Sequence, residues 1–214
     1  MNDTDIKAQR RLCQTVGDLI DRVRVSDLPA ALSDQTTREL EDMLRRIVGY
    51  QRPEPHAQSR QTDTIFWQLD EAVDPSDLME FSPIMGTLNP VSPGFKVFRV
   101  EDHIEGHGII PERFIGAPST VHGGYVAAIL DELMGMLGFI HGGGAYTGTM
   151  TVRYQQPTPA GKPLHGHAHV TSRDGRKIYC TSELRYEGTV TASAEAVFIR
   201  PRPAVSEKPE QLQR

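Results

Sequence analysis

An aspartate stands in the middle of an otherwise apolar run, VHGGYVAAILDELMGMLGFIH at Val121–His141, with a His–Gly–Gly element at His122–Gly124 ahead of it. Between Tyr125 and Phe139 only Asp131 and Glu132 carry charge. A buried carboxylate costs desolvation free energy unless it is hydrogen-bonded or used, and desolvation lifts its pKa towards the range of a general base. Ala127, Ala128, Met134, Gly135 and Gly138 fall near Asp131 on neighbouring turns, and the small ones leave room beside it. Glu132 points about 100° away around the same helix and reads as a solvent-facing or salt-bridging carboxylate. Four unpaired N–H groups open any helix, and glycine lets a ligand oxygen come close to them. Gly123 and Gly124 are therefore either a carbonyl-polarising pair or a place where helix and sheet pack tightly. His122 either contacts a ligand or ties down the turn.

Three further groups have chemical potential. Thr147, Thr149 and Thr151 alternate along one expected strand face, which suits cross-strand packing, while a hydroxyl at the strand's start would suit holding a water. His165, His167 and His169 share another strand face, but no Cys or Asp companion falls at metal-ligand spacing, so a solvated or subunit-facing stripe is expected and no metal. Arg173, Arg176 and Lys177 flank the Asp174–Gly175 turn, either as a solvated turn or as a phosphate-binding loop.

The elements that position these groups follow from periodicity. Ala, Leu and Met dominate the Val121–His141 run, which reads as a helix buried on most sides. It is short of a membrane span, and the Asp–Glu pair would sit near its middle, so no stable membrane insertion is expected. Apolar spacing predicts a helix over Ile6–Arg24 and a second through Val48, capped by Ser33 or Asp34 and stopped at Gly49. Phe66, Trp67 and Leu69 are scattered anchors, and Pro83, Pro90 and Pro93 shape an irregular approach. Strands are expected at Phe95–Val100, Thr147–Tyr154, Leu164–Ser172, Lys177–Tyr186 and Thr189–Ile199, with Gly106–Pro111 as a hairpin partner of the first. Tight turns between them argue for an antiparallel meander, curled round the helix. The domains are then a helical extension and linker over 1–60, an α+β domain over 61–202 and a flexible tail over 203–214.

The 214 residues suffice for a substantial core, and a formal net charge of -5 gives no general attraction to nucleic acid. Cys13 and Cys180 lack metal-like spacing, which with a polar N-terminus points to a reduced, cytoplasmic setting. No Walker loop, dinucleotide fingerprint or nucleophile elbow occurs.

With His–Gly–Gly ahead of Asp131, the Thr147–Pro157 strand, the Asp174–Lys177 turn and the Glu195–Pro201 strand, the chain resembles the hotdog-fold, PaaI-like acyl-CoA thioesterases. Within them it is most similar to the thioesterase superfamily member 4/5 branch, over about Ser82 to Pro201. The resemblance implies a long helix wrapped by a curved antiparallel sheet, with hydrolysis of acyl-CoA to free acid and CoA without a cofactor. It implies a homodimer with active sites at the subunit interface, frequently paired again into tetramers. Asp131 would activate water or attack the carbonyl directly, the Gly124 N–H would polarise the carbonyl, His122 would orient the loop or contact the substrate, and Thr147 would position the water. Asp131 and Thr147 would come from opposite subunits. Gly175, Arg176 and Lys177, with Arg173, would contact CoA; Gly123, Tyr125 and Met134 would line the substrate's path. A non-catalytic acyl-CoA or lipid-binding protein is the alternative.

Overall fold

The apolar run folds as a single helix because straight-chain and small residues dominate it, and nothing in it breaks the ladder before the glycines at its end. The structure is a computed structural model and describes residues 2–53, 58–59, 78–142 and 144–202. Phe66, Trp67, Leu69 and the tail from 203 onward lie outside the described residues. Three α-helices are seen among those described: α1 (Asp3–Arg24), α2 (Ala30–Ile47) and α3 (Gly123–Gly142). Six strands accompany them: β1 (Lys96–Val100), β2 (His103–Ile109), β3 (Tyr146–Tyr154), β4 (Pro163–Asp174), β5 (Lys177–Tyr186) and β6 (Thr189–Ile199).

The strands form one antiparallel sheet in the order β1-β2-β4-β5-β6-β3. A simple meander is therefore confined to β4–β5–β6; β3 leaves the helix and lands beyond β6 as an edge. The hairpin partner of β1 begins at His103, earlier than the expected Gly106, since Val100 already pairs with His103. One sheet face, including Ile104, Leu164, Ala168, Ile178, Leu184, Ala194 and Phe198, is buried against Val126, Ile129, Leu130, Leu133, Met134 and Leu137 of α3. Alanines along β6 let the helix lie close, and the Ser182 hydroxyl donates to the Leu130 carbonyl at 3.3 Å. By length and composition α3 could cross a membrane. Here it is the core against which five strands, β2 to β6, pack.

The helical extension differs from expectation at its ends. Helix α1 starts earlier because Asn2 and Asp5 form a capping box. Helix α2 starts at Ala30 with Pro29 at the N-cap, so Ser33 lies inside it, its hydroxyl bonded back to the Pro29 carbonyl at 3.2 Å. Gly49 does not terminate it in a left-handed turn; the chain tightens into a 3-10 turn over Val48–Tyr50. The face of α2 bearing Met43, Leu44 and Ile47 is exposed.

The proline-shaped approach is closely packed. Met79, Glu80, Ser82, Ile84, Met85 and Leu88 are all buried in it. Gly86 closes this loop, since a Cβ there would lie 2.5 Å from both the Glu80 carbonyl oxygen and the Ser82 nitrogen. Neither backbone atom can swing away as a side chain would. Gly86→Ala is therefore expected to cost at least about 2 kcal/mol, read as a lowered urea midpoint at unchanged slope; an unchanged midpoint would show that the loop relaxes freely.

Candidate active site

The sheet register decides where the hydroxyls go. Thr147 stands opposite Phe198 and Thr149 opposite Val197, so β3 carries a bulge at Gly148. Directly paired residues share a face. Thr147 thus lies on the helix side with buried Phe198, while Thr149 and Thr151 turn outward. The expectation that all three share one face fails at this bulge. A Cβ at Gly148 would meet the Ile199 side chain at 2.9 Å and the Val197 carbonyl oxygen at 3.1 Å, so the turn is closely packed there.

Facing inward, Thr147 donates its hydroxyl to Asp131 Oδ1 at 2.9 Å. Both residues belong to one chain, which corrects the expectation that they come from opposite subunits. Asp131 is half-buried, on a partly uncovered stripe of α3 with Gly124, Ala128 and Gly135. Glu132, the next residue, faces the loop at Ser82. The Ser82 hydroxyl donates to Glu132 Oε1 at 2.6 Å and accepts from the Ile84 and Met85 N–H groups at 3.1 and 3.2 Å. Burial pushes the Glu132 carboxyl above its ordinary value, the Ser82 bond opposes this, and the Asp131 charge adds to it. Neither a solvent-facing role nor a salt bridge describes it.

At the helix start, His122 immediately precedes α3, and its Nδ1 accepts from the Gly124 N–H at 3.0 Å. The Gly124 donor is thus engaged within the chain. The Gly123 N–H, one residue earlier, has no hydrogen-bond partner among the described residues. The Gly123 carbonyl accepts from the Tyr154 hydroxyl at 2.9 Å. His122, Gly123, Tyr154, Gln155, Gln156 and Thr158 help line an open cavity of about 500 Å³ at this helix end. Asp131 is not among its lining residues. Tyr125 is 40% exposed and packs edge-on against Phe114 with ring centroids 4.4 Å apart. Met134 is fully buried in the core.

Further along the sheet, Asp174 and Lys177 pair across a two-residue turn, with Gly175 at φ +55°. The Arg176 guanidinium donates to the Arg200 carbonyl at 2.9 Å, and the Arg200 guanidinium to the Gly175 carbonyl at 2.6 Å. Arg200, missed in the sequence reading because it follows the last strand, thus adds a cation beside Arg176. Arg173 and Lys177 are exposed. His165, His167 and His169 do form one stripe; His103 joins it from β2, its ring 5.1 Å from that of His167. Burial and the neighbouring imidazoles push His167 downward. Among the described residues no cluster of His, Cys, Asp and Glu is arranged to hold a metal. Cys180 is buried and its thiol is pushed up to about 11, which suits packing and not nucleophilic attack.

A long helix enclosed by a curved antiparallel sheet, opened at a glycine turn, defines the hotdog fold of thioesterases. Residues 119–193 match the family model for the Thioesterase superfamily. A crystal structure described as a thioesterase superfamily protein aligns with a TM-score of 0.76 at 22% identity, over 89% of this chain and 90% of that one. Over 87 residues this chain is 32% identical to acyl-coenzyme A thioesterase THEM4 of Rattus norvegicus, covering 40% of this chain and 37% of that protein. Over 87 residues it is 29% identical to acyl-coenzyme A thioesterase THEM5 of Mus musculus, covering 40% of this chain and 35% of that protein. The chain thus spans little more than a third of the length of these curated relatives.

The half-buried Glu132 has a measurable signature. Its folded-state pKa lies above the ordinary 4.5, so the unfolded chain ionises first as pH rises. The stability present below that value is lost on rising through the folded pKa. Glu132→Gln keeps an oxygen for Ser82 to donate to, and should raise the melting midpoint at about pH 8 more than at about pH 4. An equal shift at both would remove desolvation as the cause.

Proposed function

We propose that this protein hydrolyses acyl-CoA thioesters to a free carboxylic acid and CoA. The observation that carries the reading is the Thr147–Asp131 hydrogen bond on the partly uncovered stripe of α3 that also bears the glycine turn. The relatives named acyl-coenzyme A thioesterases support the substrate class.

The Thr147 hydroxyl occupies Oδ1 of Asp131 and leaves Oδ2 for a water. Asp131 takes a proton from that water as its oxygen attacks the thioester carbonyl carbon. The carbonyl oxygen gains negative charge, which the Gly123 N–H and the positive end of the α3 dipole stabilise. The Gly124 N–H joins when the His122 ring turns aside. Collapse of the tetrahedral intermediate breaks the carbon–sulfur bond, and the CoA thiolate leaves and takes up a proton. Tyr125 borders the acyl path, with Met134 behind it in the core. Arg173, Gly175, Arg176 and Lys177, with Arg200, suit the CoA phosphates, which Arg binds as a planar fork.

Geometry argues for a homodimer. Gly124 and Asp131 are seven residues apart on one helix, roughly 10 Å along its axis. A reacting carbon must lie about 3 Å from the attacking oxygen. One helix therefore supplies either the polarising turn or the base to a given substrate. An antiparallel second copy, its α3 packed along the same small-residue stripe, brings its Asp131–Thr147 pair to the first copy's glycine turn. The subunit boundary then runs between the glycines and the carboxylate, and not between Asp131 and Thr147.

The test is free-thiol release from an acyl-CoA panel. Asp131→Asn should lower kcat at least about 100-fold. Gly123→Pro deletes the N–H at a first helical position that tolerates proline, and should also inactivate. Mixing the two inactive variants as dissociated and reassociated chains should regenerate activity, because each hybrid dimer contains one intact site. Failure of the hybrid to recover activity would sink the proposed subunit division. Acyl-CoA binding without turnover at any chain length would favour a ligand-binding protein, a reading consistent with the engaged Gly124 N–H.

A further inference from the structure

The N-terminal helix reaches the glycine turn through one arginine. Gly17 of α1 is buried, and a Cβ there would lie 3.2 Å from the Pro90 carbonyl oxygen, so α1 sits directly on the proline-shaped loop. One turn on, Asp21 pairs with the Arg113 guanidinium. Arg113 is only 11% exposed and also donates to the Ser92 carbonyl at 2.8 Å and weakly to the Gly17 carbonyl at 3.5 Å. It lies 4.8 Å over the ring of Phe114, with which it shares a 3-10 turn at Glu112–Phe114.

Phe114 in turn grips the start of α3 twice. Its carbonyl accepts from the His122 N–H at 2.8 Å, and its ring packs against that of Tyr125. A short bridge between Ile115 and Val121 closes the loop between them. A Cβ at Gly116 would lie 2.9 Å from the His122 Cα, so this loop has no slack on that side. The path from Asp21 to His122 is therefore continuous: ion pair, cation over ring, then backbone hydrogen bond.

We propose that α1 braces the catalytic turn, with Asp21 and Arg113 as positioning residues. They set the direction in which the first N–H groups of α3 meet a substrate carbonyl, without touching the substrate. The idea rests on the hydrolase reading above for its kinetic consequence but not for its structural one.

Two readouts separate these. Kinetics of thiol release should show Asp21→Asn with kcat about 10-fold lower and KM little changed, the signature of a misaimed donor. Hydrogen exchange should be faster across 111–126 and unchanged in β4 and β5. Phe114→Leu keeps the ion pair and should reproduce the kinetic loss even if Asp21→Asn proves too unstable to purify. Unchanged kcat in both Asp21→Asn and Phe114→Leu would overturn the brace. If the wild type hydrolyses no acyl-CoA, the hydrolase reading fails and exchange alone decides: unaltered exchange over 111–126 in Asp21→Asn would overturn the brace as well.

Discussion

A helix without a polar face cannot rest on a flat sheet, because half its apolar surface would remain in water. The sheet must curve round α3, and most of what is distinctive in the fold answers that demand. Alanines at Ala192, Ala194 and Ala196 thin the β6 wall so the helix can approach. The buried loop from Met79 to Leu88 covers the flank that strands leave open. What remains partly uncovered is the stripe through Gly124, Ala128, Asp131 and Gly135.

Two adjacent carboxylates then receive opposite treatment from one helix turn. Glu132 faces the covering loop, where a single hydroxyl from Ser82 and loss of water determine its state. Asp131 faces the open stripe and is held by Thr147. Two carboxylates on one helix thus meet different surroundings, a covering loop or the open stripe, according to which way the helix turns each.

Periodic features were legible in the sequence. The α3 run, β5 and β6 follow from apolar periodicity and turn residues, and the structure bounds β5 and β6 at the expected residues. Non-periodic features were not. The bulge at Gly148 breaks a two-residue alternation that looks regular in Thr147, Thr149 and Thr151. The burial of Glu132 depends on an irregular loop from Met79 onward that has no repeat to read. The early start of β2 at His103 was hidden because histidine and glycine replace the usual β-branched residues there. The position of α1 turns on one arginine in a distant loop, and no local pattern marks Arg113 as a docking point. For the candidate site, the sequence pointed to the glycine turn and Asp131 as one constellation; three-dimensional distance separates them.

The bulge in β3 has a consequence beyond aiming a hydroxyl. This strand is an outer edge of the sheet, with Tyr146 and Tyr154 exposed at its two ends. A long, straight, open edge invites any extended chain to add to it, which is how sheets aggregate. Gly148 kinks this edge two residues past its start, so a stray strand cannot hold register along its whole length. The glycine that turns Thr147 towards Asp131 therefore also interrupts the pairing register along the open edge of the sheet.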